Sequence, residues 1–256
     1  MGLRNTLLFI ATFGLATSAL QLPSPAFLFA NPEPQHATGF KIPTIHESAV
    51  QARRILHLET IGTLSTIFPT AHSTENRPSD VSGTPIGLMD YFGDCEPGSG
   101  NPTILAISIA TSFKNVAAGS NITLSLRWHA PYNRPYSAAA VPRFSLIGHL
   151  EELSAEEVRE QNVAACFVKY HPDAVSWLPG NRIHESKWVR LVVEEVYWIG
   201  GFGDRAYIGW IPLNEWQNVT AEEIKDCKLP GEKTGWASWI PHFGFGQGQV
   251  QEAIEL

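Results

Sequence analysis

The sequence predicts a single α+β domain whose strands wrap into a barrel, and three observations carry that prediction. Six or seven segments show strand patterning, and two or three others show helical spacing, around what reads as one core. Aromatic residues are abundant, with 8 Trp and 13 Phe, which favours β-rich packing. At 256 residues the chain can bury one large core, and it contains no internal repeat.

The elements follow in order. Met1–Ala19 has the layout of a signal peptide: Arg4, an apolar run from Leu7 to Leu15, then small residues at Thr17-Ser18-Ala19. The apolar run is too short and mixed to span a bilayer, and nothing else approaches that length, so no stable membrane span is expected. Residues 20–43 are Pro- and Ala-rich and read as an extended arm. Thr44 and Glu47 form a capping box for a helix reaching Leu58. Gly62–Ile67 alternates as a strand, and Ala71–Thr84 is a polar loop long enough for a lid or a disordered excursion. Ile86–Phe92 is a second strand.

Ile104–Ile109 is apolar on both alternating faces, as in a strand covered on two sides. Ile122, Leu124, Leu126 and Trp128 alternate with Thr123, Ser125 and Arg127, as in a strand with one polar face. Between them Thr111-Ser112-Phe113-Lys114-Asn115 offers two hydroxyls, an ammonium and an amide, the chemistry of an anion cradle or of an ordinary capped turn. Arg143–Leu150 alternates with Phe144 and Leu146 on one side. Ser154 and Glu157 cap a helix expected to continue to Tyr170, where His171-Pro172 forces an exit. In Lys187–Ile199 the period of two puts Val189, Leu191, Val193, Tyr197 and Ile199 on one face; Gly200–Asp204 turns the chain into a hairpin partner ending at Ile211. A short helix near Trp216 closes the domain at 44–219, leaving 220–256 as a C-terminal tail.

The net charge of −7 argues against a nucleic-acid binder. Gly200-Gly-Phe-Gly203 lacks dinucleotide-fingerprint spacing, Gly98-Ser-Gly100 is not a nucleophile elbow, and the nine His show no metal spacing. Asn121-Ile-Thr123 and Asn218-Val-Thr220 are N-glycosylation sequons, consistent with secretion. Three cysteines permit one disulfide. Cys166 falls in a predicted helix and reads as a core residue, while Cys95 and Cys227 lie in loop-like sequence and are the candidate pair.

Ala52-Arg53 with Gly62–Thr66, the Asp94–Trp128 block, Phe167 to His171-Pro172 with Trp177, and Trp198–Trp210 together resemble the CREG-like branch of the pyridoxamine 5′-phosphate oxidase-type FMN-binding split barrels. The resemblance covers about Ala52 to Val219. It implies a six-stranded antiparallel split barrel with flanking helices that forms a homodimer, with a ligand site at the subunit interface. It also implies that Thr111, Ser112, Lys114, Asn115 and Arg127 hold the phosphate of FMN, although Phe113 stands where relatives carry an arginine. Haem is the alternative ligand, because similar Gly-Gly-Phe-Gly hairpins occur in a haem-associated branch. Two functions follow by resemblance. One is a flavin-dependent oxidoreductase; the other is a cofactor-free secreted glycoprotein, in either case exported or delivered to an endolysosomal or vacuolar lumen.

Overall fold

The computed structural model describes residues 41–70, 77–130 and 137–232. The expected signal peptide, most of the arm, part of the Ala71–Thr84 loop and the end of the tail lie outside the described residues. Six strands close an antiparallel barrel: β1 (Ile61–Ile67), β2 (Pro85–Gly93), β3 (Thr103–Ile107), β4 (Ile122–Arg127), β5 (Arg143–Glu152) and β6 (Ser186–Ile199). Their order is β3-β2-β1-β4-β5-β6, and β3 pairs with β6 to complete the ring. Closure leaves no free sheet edge there. Beyond the reach of β3, the last four residues of β6 pair with β7 (Ile208–Ile211).

Alternation decides what fills the barrel. Leu64, Ile104, Ile122, Leu124, Phe144, Leu146, Leu191, Val196 and Trp198 point inward and belong to one buried cluster. Ile104 and Ala106 of β3 join this cluster, whereas Leu105 joins a second one with Cys95, Val163, Phe167 and Trp188. The doubly apolar pattern of β3 therefore reflects two cores, one on each side. Each fully buried aliphatic side chain contributes about 1.5–3 kcal/mol relative to exposure.

Helix α1 (Ile45–Leu58) starts at the Thr44–Glu47 capping box and buries Ala49, Ala52, Ile55 and Leu56. It packs against α5 (Leu213–Gln217) and α6 (Ala221–Asp226). Helix α6 has its own capping box at Thr220–Glu223 and buries Ile224. The packed unit thus continues past 219: Trp128 Nε1 donates to Pro230 O at 2.7 Å, and Arg54 pairs with Glu232. The buried Arg53 guanidinium donates to Trp216 O at 2.9 Å and to Pro97 O, and its carbon lies 5.1 Å from the Trp216 ring centroid.

Three expectations change. The helix from Ser154 is two helices, α3 (Ala155–Glu160) and α4 (Val163–Tyr170), divided at Asn162, whose φ is 51°. Asn enters this left-handed region more readily than most residues. The break lets α4 turn Val163 and Phe167 into the second core while α3 buries nothing. Cys95 pairs with Cys166, not Cys227; their Cα atoms are 5.8 Å apart. Cys166 borders the second core on α4 and Cys95 lies in it, whereas Cys227 caps α6 and is free. Finally, β6 changes phase. Ile147 pairs with Glu195 but Gly148 pairs with Val193, so Glu194 is an extra residue and forms a bulge. Beyond it Val196 and Trp198 are buried, and Tyr197 and Ile199 face outward.

Candidate functional site

The sequence-predicted phosphate turn is a short helix, α2 (Thr111–Ala117). Ser112 and Asn115 are each 1% exposed, and the Asn115 amide donates to Thr66 Oγ1 of β1 at 3.0 Å. Phe113 is also buried, within the barrel core. Thr111 is half-buried and Lys114 is exposed, so these two alone of the proposed group meet solvent on α2. Arg127 lies elsewhere. Helix α2 leads into the Ile122 end of β4, and Arg127 is at the other end, about 17 Å along the strand. Within one subunit the five residues are thus not gathered at one point: Ser112 and Asn115 are buried, and Arg127 lies at the far end of β4.

A different surface collects the relevant chemistry. With the inward residues of β1, β4, β5 and β6 fixed by the core, the intervening side chains point outward. Thr63 pairs with Ser125, Ser125 with Ser145, and Ser145 with Tyr197, so they form one row across four strands. The row continues to Met89 on β2 and Trp210 on β7, which are 79% and 53% exposed. The Ser125 and Ser145 hydroxyls share a hydrogen bond of 2.8 Å, and Tyr197 meets Trp210 edge-on at 5.0 Å between centroids.

Two adjoining hollows follow this row. One, of about 380 Å³, is lined by Thr63, Ser125, Arg127, Arg143, Ser145 and Tyr197 together with apolar groups. The other, of about 450 Å³, shares Thr63, Ser125 and Arg127 and adds Glu59, Met89 and His129. Both fall within the usual volume range of small-molecule sites.

Glu59, the C-cap of α1, sets the geometry of the second hollow. Its carboxylate accepts from His129 N at 2.7 Å and lies 2.9 Å from His129 Nδ1; Arg127 Nε donates to His129 Nε2 at 2.7 Å. A guanidinium only donates, so Nε2 accepts, and the ring proton resides on Nδ1 facing Glu59. The end of α1 thereby orients Arg127 through His129.

Tyr91, His171 and Asp173 form a separate cluster. The Tyr91 and His171 rings stack at 3.9 Å, His171 Nε2 donates to Phe92 O at 2.9 Å, and Tyr91 Oη donates to Asp173 at 2.9 Å. Burial holds the His171 pKa below its ordinary value. Since His171 also packs on Phe167, it anchors α4 and the exit from it.

Sequence reasoning placed Thr123, Ser125 and Arg127 on the polar face of their strand, which is correct. It missed Arg143, Ser145, His129 and Glu59, whose contribution depends on cross-strand register and on where α1 ends. Tyr197 was assigned to the core because the bulge that turns it outward has no local signature.

A closed six-stranded antiparallel barrel with flanking helices and an outer ligand-sized groove defines a split-barrel protein. The chain belongs to the CREG, beta-barrel family, whose model matches residues 43–218. Among solved structures it is similar to a heme binding protein from Mycobacterium smegmatis, at 19% identity over 69% of this chain and 61% of that one, with a TM-score of 0.52. This chain thus spans less than two thirds of that protein. HutZ, the heme storage protein of Vibrio cholerae, matches at 12% identity over 58% and 90% of the two chains, with a TM-score of 0.42. A FAD-binding protein from Mesorhizobium loti matches at 13% identity over 58% and 90%, with a TM-score of 0.39. No curated protein matches in sequence. Among the described residues no helix is long and apolar enough to cross a membrane.

Proposed function

We propose that this protein is a secreted, glycosylated homodimer that binds FMN in the groove over β1, β4, β5 and β6. The observation that carries this reading is the pair of adjoining hollows, which share a floor of hydroxyls and Arg127 and have Tyr197 at one side. Arginines and hydroxyls suit a phosphate, and an exposed aromatic edge suits a flat ring. Bound flavin would supply hydride chemistry, making the protein a flavin-dependent oxidoreductase. The chain's own part would be to hold and orient the ring.

Haem is the second reading, supported by what the mycobacterial protein of similar fold is described as binding. The groove favours flavin over haem. Its histidine, His129, has both ring nitrogens engaged, by Glu59 and Arg127, and offers neither to an iron. Export is supported by three features: the Cys95–Cys166 disulfide belongs to an oxidising compartment, and Asn121 and Asn218 are both exposed. Dimerisation through the outer face is supported by the exposure of Met89 and Trp210 beside the groove.

Titration of the purified secreted protein with FMN, followed by flavin fluorescence, tests the ligand. Saturable binding is expected at micromolar concentration. No binding at tens of micromolar would leave a cofactor-free binding glycoprotein as the function. Sedimentation of the same sample is expected to give a dimer, and an N-glycosidase is expected to lower its mass; a monomer or an unchanged mass would contradict those parts.

A further inference from the structure

We propose that Arg127 and Arg143 are a paired anion reader that restricts the groove to ligands bearing a phosphate or carboxylate group; this rests on the groove being the ligand site. The two residues are direct cross-strand partners on β4 and β5. Trp128 N donates to Pro142 O, which makes Arg127–Arg143 a non-hydrogen-bonded pair, the position where facing side chains come closest. Like charges directly opposite one another are destabilising. The nearest carboxylate to Arg127, Glu59, is engaged by His129 and reaches Arg127 only through that ring. Arg127 is bound to His129, and Arg143 Nη1 reaches Ala139 O at 3.4 Å. Among the described residues neither forms an ion pair with a carboxylate.

The surroundings complete an anion site. The 380 Å³ hollow that both guanidiniums line contains no Asp or Glu. Ser125 and Ser145, two residues along the same face, place their hydroxyls beside the pair. Apart from Glu59, held by His129 in the adjoining hollow, the next acidic residue along β5 from Arg143 is Glu195, opposite Ile147 and about 13 Å away. On a chain of net charge −7, two adjacent cations with no direct ion pair to a carboxylate mark a place where an anion lowers the energy.

The test compares FMN with riboflavin, which has the same ring and no phosphate. FMN is expected to bind about tenfold or more tightly than riboflavin, and Arg143→Gln to remove that difference while leaving riboflavin affinity unchanged. Equal affinities in the unaltered protein, or a difference that survives Arg143→Gln, would overturn the proposal. If neither flavin binds, the FMN reading fails separately and pyrophosphate decides the pair. Pyrophosphate should raise the melting temperature of the unaltered protein and raise it less in Arg143→Gln; no rise in the unaltered protein would overturn the assignment. Dimer dissociation in Arg143→Gln with unchanged anion binding would show that the pair serves a second copy of the chain instead, which also overturns it.

Discussion

The Asn115 side-chain amide donates to Thr66 Oγ1 across 3.0 Å, with both residues within 2% of full burial. This bond fastens α2 to the inner side of β1, and it makes Asn115 a structural residue. Asn115→Ala leaves the Thr66 hydroxyl without its partner in a dry site, which costs about 1–3 kcal/mol. The denaturation midpoint of Asn115→Ala should fall accordingly while the affinity for FMN stays the same.

The disulfide closes a separation of 71 residues and joins the β2–β3 connection to α4. Replacing both Cys95 and Cys166 by Ser should lower stability by up to about 4 kcal/mol, since long loops gain most from closure. Replacing Cys227 should have little effect. Non-reducing peptide mapping should recover Cys95 linked to Cys166; a Cys95–Cys227 peptide would contradict the structure.

His46 on α1 bridges two carboxylates, Glu215 of α5 and Glu223 of α6, each at 2.8 Å. The hydrogen bond to Glu223, then that to Glu215, raises the His46 pKa above 6.5. His46 and Thr220 hold Glu223 down at about 2. The His46 contribution is complete below pH 6.5 and is lost as pH rises through the raised value. The Glu223 contribution is complete above pH 4.5 and is lost as pH falls toward 2. The clamp is therefore fully made between those limits, in the range of an acidic lumen. All three groups are partly exposed, so the effect is small. The melting-temperature difference between the unaltered protein and His46→Gln should be largest near pH 5 and shrink above neutrality.

Gly148 faces the β6 bulge so closely that an added Cβ would sit 1.8 Å from Val192 O. Backbone atoms cannot yield as a side-chain tip can. Gly148→Ala should destabilise by about 3 kcal/mol or more, or disrupt the β5–β6 register, as read from thermal unfolding.

Much of the barrel was legible because alternation reports burial directly. Leu124 and Leu126 inside with Ser125 and Arg127 outside is a statement about one strand, and it holds. What depends on two strands could not be read so. The meeting of Arg127 with Arg143 follows from register, and the outward turn of Tyr197 follows from an extra residue at Glu194. The division at Asn162 lacks the Gly or Pro that announces a helix end, and Cys166 was hidden in what read as one continuous helix. Burial in the Thr111–Asn115 turn was hidden for a related reason: Ser112 and Asn115 look polar in sequence, but the helix turns both into the protein.

The central claim is that ligand binds over the outer strands and not at α2. FMN titration of Ser145→Trp beside Lys114→Ala tests it most directly. Ser145→Trp fills the groove from its floor and should abolish binding, whereas Lys114→Ala should bind FMN as the unaltered protein does. Binding retained by Ser145→Trp and lost in Lys114→Ala would contradict the account.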